Sequence, residues 1–108
     1  MLIDEVQTGN GRTGSLYAYE QFGIEPDIVS TAKGLAGGLP MGATLFNEKT
    51  QFVLTAGAHA TTFGGNPICA AAGCTIIERL TPEFLATVKA KGDYVKHALE
   101  GKPGVIGV

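Results

Sequence analysis

The chain has 108 residues, of which 44 % are hydrophobic and 17 % are charged, and its formal net charge is −2. This length and composition suit one small globular domain, or a piece of a larger one, and exclude a disordered segment. The small net charge gives no footprint for nucleic acid, and the sequence has neither a charged leader nor a run of about 18 apolar residues that would predict secretion or a membrane span.

The predicted elements of the first half alternate between strands and helices. A strand over residues 1–6 leads into a loop over 7–14, a short helix over 15–22 and a turn over 23–26. They are followed by a strand over 27–32, a glycine-rich loop over 33–40, a strand over 41–46 and a helix that begins at Asn47. This alternation is typical of an α/β fold.

Two helices are predicted in the second half. Asn66 is a good N-cap residue and Pro67 suits the first helical position, so a helix of mostly small residues should follow. Thr81, followed by proline, begins a second helix, whose apolar residues recur at helical spacing until Gly101 ends it. The closing residues, GVIGV, predict a strand that would continue into protein outside this sequence.

Cys69 and Cys74 lie among small residues at a spacing that fits neither a metal site nor the disulfide framework of a small secreted fold. No metal site is therefore predicted. Both cysteines are expected to be buried, reduced thiols, as in a cytoplasmic protein.

The segment between Lys49 and Glu78 contains no Asp, Glu, Lys or Arg, although it includes glycine, histidine and asparagine. In a small globule so long a segment would meet water repeatedly. We therefore infer that it is covered by protein outside this sequence or by a second subunit. The 16 glycines cluster at 9–14, 34–42 and 57–65, which favours loops whose backbone approaches a ligand closely.

The first glycine cluster reads G-x-G-x-x-G at Gly9, Gly11 and Gly14, a pattern found in dinucleotide-binding loops. That fingerprint also needs a full crossover helix and an acidic residue that closes the second strand, whereas this strand closes on Lys33. The Walker pattern fails because Ser15 stands where its lysine should be. Nucleotide binding is therefore disfavoured.

Charged residues follow two predicted strands: Asp4 and Glu5 end the first, and Lys33 ends the second. If these strands are parallel, their carboxyl ends share the edge at which open α/β sheets bind ligands. A salt bridge or a solvated lysine is the ordinary interpretation. The position after a strand, the small neighbours and the nearby carboxylate favour a reactive amine instead. A lysine Schiff base with an acidic partner for a ring nitrogen is the protein side of pyridoxal phosphate chemistry.

Three blocks carry a resemblance to a known family: LIDEVQTGNGRTG, PDIVSTAKGLAGGLPMGA and HATTFGGNP. In this order and at these separations they resemble the class III aminotransferases of the fold-type I pyridoxal-phosphate superfamily, and within it the acetylornithine aminotransferases. The resemblance implies that residues 1–80 are part of the three-layer α/β/α large domain, with the interdomain helix, and that 81–108 begin the small C-terminal domain. Complete members are several times longer, so the chain is expected to be an internal fragment of a subunit.

The resemblance also implies the site residues. Lys33 would form the Schiff base with pyridoxal 5′-phosphate, Asp4 would bond its ring nitrogen, and Gln7 would lie near its phenolic oxygen. Thr62, with Thr61 as a second candidate, would bind the phosphate of the cofactor held by the other subunit of a homodimer. On the residues alone, Gln7 can instead cap its loop, and the two threonines can be turn residues that bond local backbone.

The implied reaction is a ping-pong transamination from N-acetylornithine, or a related ω-amino donor, to 2-oxoglutarate, in which Lys33 is both leaving group and proton carrier. Ornithine and 4-aminobutyrate enzymes share these blocks, so the donor stays open. The fragment alone is expected to be inactive, because the family's phosphate loop, stacking aromatic residue and substrate arginine lie outside it. A different hypothesis is a truncated, non-catalytic domain that acts as an interaction module.

Overall fold

The computed structural model describes residues 1–108 and contains a three-stranded sheet in the order β1-β2-β3. The strands are β1 (Leu2–Asp4), β2 (Ile28–Thr31) and β3 (Ala43–Phe46). β1 and β2 are parallel, with Asp4 opposite Ser30, whereas β3 runs antiparallel to β2. The parallel pairing expected from the sequence is confirmed, so the carboxyl ends of β1 and β2 lie at one edge.

Four helices complete the fold. Two are short 3₁₀ helices, Ala18–Phe22 before β2 and Lys33–Ala36 after it. The other two are the α-helices α1 (Pro67–Arg79) and α2 (Pro82–Leu99). The alternation of strands and helices predicted from the sequence is therefore present.

The predicted helix starts at Asn66 and Thr81 are confirmed. The Asn66 carboxamide oxygen accepts from the backbone N–H groups of Ile68 and Cys69 at 3.0 and 3.2 Å. The Thr81 hydroxyl accepts from the backbone N–H of Phe84 at 3.3 Å. Each cap satisfies N–H groups that have no partner within the first helical turn.

Two predicted elements are absent. Asn47 does cap a turn, since its Oδ1 accepts from the backbone N–H groups of Lys49 and Thr50, but no helix follows. The next residues, QFVLT, include aromatic and β-branched types that lose side-chain freedom in a helix. The last residues, 104–108, also form no strand, because no neighbouring strand supplies hydrogen bonds to them.

The core is small and lies between β2, the second 3₁₀ helix and α1. Val29, Leu35 and Ala36 are buried there, and α1 contributes Cys69 and Gly73. By contrast, every residue from 51 to 68 is exposed. No helix is both long and apolar enough to cross a membrane.

One of the two thiols does not lie where the sequence predicts. Cys69 is buried as expected, but Cys74 is exposed. Helix α1 buries the face that carries Cys69 and Gly73, and Cys74 is one residue further on, about 100° around the helix. The expectation that both thiols are buried is therefore wrong for Cys74.

Candidate active site

Lys33 is the first residue of the 3₁₀ helix that follows β2. Its φ of 47° lies in the left-handed region, which is uncommon for a residue with a side chain. The side chain is exposed, and its Nζ donates a hydrogen bond to Oε1 of Gln7. The amine and the Gln7 amide therefore meet at the carboxyl edge of the two parallel strands.

Asp4 and Glu5 have opposite surroundings, as alternation along a strand predicts. Asp4 is exposed, and its Oδ1 accepts from the backbone N–H of Val6 at 2.8 Å. Glu5 is only 1 % exposed, and its carboxylate accepts from the backbone N–H of Tyr19 at 2.9 Å and from the Thr8 hydroxyl. Glu5 therefore organises the loop, while the Asp4 carboxylate is accessible at the sheet edge.

The glycines of the first loop make room for protein. Gly11 and Gly14 have φ values of 83° and 89°. A Cβ added to Gly11 would lie 2.9 Å from Cδ2 of Leu80, and one added to Gly14 would lie 2.9 Å from Cβ of Lys89. At these two positions the interpretation of close approach to a ligand is wrong, because the loop packs against α2 and against Leu80, at the end of α1.

The same loop leads into a 3₁₀ helix of five residues. A dinucleotide-binding loop instead opens an α-helix whose N–H groups receive the phosphates. The geometry therefore agrees with setting aside nucleotide binding.

Asn10 is a residue of this site that sequence reasoning missed. Its Nδ2 donates to Oγ1 of Thr31 and to the carbonyl oxygen of Ala32, both at 2.9 Å. It therefore joins the loop after β1 to the end of β2, next to Lys33. The available signal was an asparagine between two glycines, since asparagine tolerates the left-handed conformation that Asn10 adopts, with φ of 57°.

Two tyrosines support the loop from inside. Tyr17 and Tyr19 stack with their ring centroids 5.8 Å apart and their planes 8° from parallel. Burial raises the pKa of the Tyr17 phenol above its ordinary value, and a hydrogen bond with the Thr31 side chain opposes this effect. Burial also raises the pKa of Tyr19, so both phenols are neutral near pH 7.

Thr61 and Thr62 lie elsewhere, in the exposed segment before α1. Thr61 lines a cavity of about 250 Å³ together with Asn66 and Cys69. Neither threonine hydroxyl forms a side-chain hydrogen bond. Along the chain, the last such bond before them involves Gln51 and the next involves Asn66. The structure thus brings Gln7 to Lys33 but does not bring the two threonines to them.

Comparison with known proteins identifies the family. The profile of aminotransferase class-III matches residues 1–103, so the chain belongs to the class III aminotransferases. Enzymes of this family depend on pyridoxal phosphate and have the fold-type I architecture. The α/β fold class expected from the sequence is confirmed.

Three relatives show the extent of the similarity. The acetylornithine aminotransferase of Haemophilus ducreyi is 50 % identical over 105 residues, which cover 97 % of this chain and 27 % of that protein. The succinylornithine transaminase of Citrobacter koseri is 51 % identical over 94 residues, 86 % of this chain and 23 % of that protein. The solved ornithine δ-aminotransferase of Plasmodium falciparum is 36 % identical, with a TM-score of 0.80 over 92 % of this chain and 26 % of that one. The chain therefore spans about a quarter of the length of these relatives.

Proposed function

We propose that this chain is the lysine-bearing part of a pyridoxal-phosphate-dependent aminotransferase and that Lys33 bonds the cofactor. The arrangement at the sheet edge carries the proposal: the Lys33 amine meets Gln7, and Asp4 ends the parallel neighbouring strand. These groups fit the cofactor chemically, since an amine reacts with its aldehyde, a carboxylate pairs with its ring nitrogen, and an amide can bond its phenolic oxygen. When bound, the cofactor supplies an electron sink for the carbon that bears the amino group.

The residues then have distinct roles. Asp4 favours a protonated ring nitrogen, because a nearby carboxylate raises the pKa of a cationic acid. Gln7 orients the Lys33 amine. Lys33 would hold the cofactor through its amine and, when that amine is free, would act as the base that carries the proton. The accessible position of its amine supports this role.

We also propose that Thr62, and Thr61 beside it, bind the phosphate of the cofactor in the partner subunit of a homodimer. The exposure of the whole uncharged segment 51–68 supports this subunit contact. Within the segment, Phe52 and Phe63 are 81 % and 82 % exposed. Such a surface is typical of one that another protein covers.

The proposed donor is N-acetylornithine and the proposed acceptor is 2-oxoglutarate. The similarity to the acetylornithine aminotransferase of Haemophilus ducreyi supports this choice. The comparable identity to a succinylornithine transaminase keeps succinylornithine as a competing donor, beside ornithine and 4-aminobutyrate. A donor comparison by kcat/KM decides among them.

The domain boundary belongs to the same proposal. We place residues 1–80 in the cofactor-binding large domain and residues 81–108 at the start of the small domain. The end of α1 at Arg79 and the newly capped helix at Thr81 support this division. The expectation of a cytoplasmic protein stays a prediction.

A grafted subunit tests the function: this chain replaces the matching segment of the Haemophilus ducreyi enzyme. Borohydride reduction with pyridoxal phosphate should fix a pyridoxyl group on Lys33 alone, and Lys33→Ala should abolish turnover of N-acetylornithine with 2-oxoglutarate. Lys96→Ala, at an exposed position of α2, is the matched control and should retain turnover. Label on Lys89 or Lys91 instead of Lys33 would refute the assignment.

A further inference from the structure

The side chain of Asn10 holds the turn that carries Lys33. The carbonyl oxygen of Ala32 accepts from the backbone N–H of Leu35 at 3.1 Å, which closes this turn. The same oxygen accepts from Nδ2 of Asn10 at 2.9 Å, and Nδ2 also donates to Oγ1 of Thr31 at 2.9 Å. One amide group therefore fixes both the last residue of β2 and the acceptor on which the turn is built.

The orientation of the Asn10 amide is set by these two bonds. Oδ1 of Asn10 is buried and has no hydrogen-bond partner. A flipped amide would place this oxygen against the Ala32 carbonyl, which cannot donate. The amide thus leaves its own acceptor unpaired in order to hold two oxygens at the end of β2.

The neighbouring backbone needs such a restraint. Lys33 adopts a left-handed conformation that is unfavourable for a residue with a side chain. Asn10 also packs beneath the next residue, since a Cβ on Gly34 would lie 3.6 Å from Cβ of Asn10. Conformations of this kind persist only where surrounding contacts hold them, and they are concentrated at functional sites.

We propose that Asn10 is a positioning residue for Lys33: its amide holds the turn that begins with the left-handed Lys33 and thereby fixes where the amine stands relative to Gln7 and Asp4. What the amine does there rests on the proposed aminotransferase function, whereas the restraint on the turn does not. Asn10 itself touches neither substrate nor cofactor in this assignment.

Two substitutions separate the amide from the backbone conformation of Asn10. Asn10→Gly keeps the left-handed backbone, which glycine adopts freely, and deletes the amide. Asn10→Asp keeps the size and shape of the side chain but replaces the donor by an acceptor. Thr13→Ala, at an exposed position of the same loop, is the matched control.

Hydrogen exchange of the grafted subunit without cofactor measures the restraint directly. Loss of the two hydrogen bonds should speed exchange of the Leu35 amide roughly tenfold in both Asn10 variants. Amides of α2 and the Thr13→Ala control should exchange as in the unsubstituted subunit.

Chemistry at Lys33 gives the second readout. In both Asn10 variants the rate of borohydride-trapped pyridoxyl incorporation at Lys33 should fall by about tenfold, and kcat by about tenfold to a hundredfold, because a small misplacement of a reacting group is costly. The KM for N-acetylornithine should not change, since Asn10 makes no contact with the donor.

The outcomes separate this inference from the function on which it rests. Unchanged Leu35 exchange in Asn10→Gly would overturn it, as would an equal acceleration throughout α2, which would indicate a general structural role. Faster Leu35 exchange in both variants, in a subunit that takes no label at Lys33 even when unsubstituted, would confirm the restraint on the turn and refute the proposed function.

Discussion

Substituting Asp4, the last residue of β1, and Glu5, the residue after it, one at a time separates a chemical role from a structural one. Asp4→Asn keeps an oxygen that can accept from the backbone N–H of Val6, as Oδ1 of Asp4 does at 2.8 Å. Because Asp4 is exposed, the folded state should lose little. The neutral amide cannot favour a positive charge on a ring nitrogen, so kcat of the grafted subunit should fall by on the order of 10²–10³, the usual effect of losing one electrostatic stabiliser.

Glu5→Gln should have the opposite effect: a clear loss of stability and only a small loss of kcat. The buried carboxylate accepts from the Tyr19 N–H and the Thr8 hydroxyl. A hydrogen bond to a charged group contributes about 1.5–3 kcal/mol, and a neutral one about 0.5–1.5 kcal/mol. Glutamine retains an oxygen for Tyr19 and an N–H group for Thr8, so each of the two bonds should weaken by about 1–1.5 kcal/mol and the free energy of unfolding should fall by about 2–3 kcal/mol. The change in kcat should stay below about tenfold, since Glu5 acts on the loop and not on the reacting groups.

Steady-state turnover and the urea midpoint of unfolding, measured on both grafted variants, check the two profiles. A loss of kcat in Glu5→Gln equal to or larger than that in Asp4→Asn would mean that the other carboxylate faces the ring. A urea midpoint that falls as far in Asp4→Asn as in Glu5→Gln would mean that Asp4 has a structural role instead.

Three further predictions concern the chain as it stands. Alone, it should bind pyridoxal phosphate poorly and associate through segment 51–68. Phe63→Lys should lower the mass of the associated species measured by light scattering. A monomer with a stable cofactor absorbance would contradict this. Hydrogen bonds from the backbone N–H of Glu83 itself and from the Thr81 hydroxyl lower the pKa of Glu83. The Glu83 carboxylate therefore stabilises α2 fully above the pKa of the unfolded chain, about 4.3. This stabilisation is lost as the pH falls through the lower pKa of the folded chain. Glu83→Gln should therefore reduce the acid loss of helicity by circular dichroism, and an unchanged acid limb would exclude this role. A thiol reagent should modify exposed Cys74 before buried Cys69, and the opposite order would show that α1 presents another face.

Local signals predicted the fold best. The caps at Asn66 and Thr81 act within one turn of the chain, so their residue types are sufficient evidence for helix starts. The same kind of signal at Asn47 gave a turn without a helix, because a cap cannot supply the packing that continues one. The strand at 104–108 failed for a related reason: a strand depends on a neighbour that no local pattern reveals.

The site was predictable only in part. Lys33 and Asp4 could be proposed because strand ends of a parallel pair meet at one edge. Gln7 contacts Lys33 at that edge, while the roles of all three residues toward the cofactor stay predictions. Asn10 was missed because its partners, Thr31 and Ala32, are more than 20 residues away in the chain. A single sequence does not show which residues so far apart are in contact. The roles of the two threonines stay predictions, since they depend on a surface that this chain does not contain.

The first glycine-rich loop, residues 7–14, is in close contact with the rest of the chain on two sides. On one side Gly11 and Gly14 lie so close to Leu80 and Lys89 that neither has room for a methyl group; on the other side Asn10 is bonded to the end of β2. The loop thus lies between α2 and the end of β2 and contacts both. The residue that places the turn of Lys33 is therefore in the same loop that packs against the second α-helix.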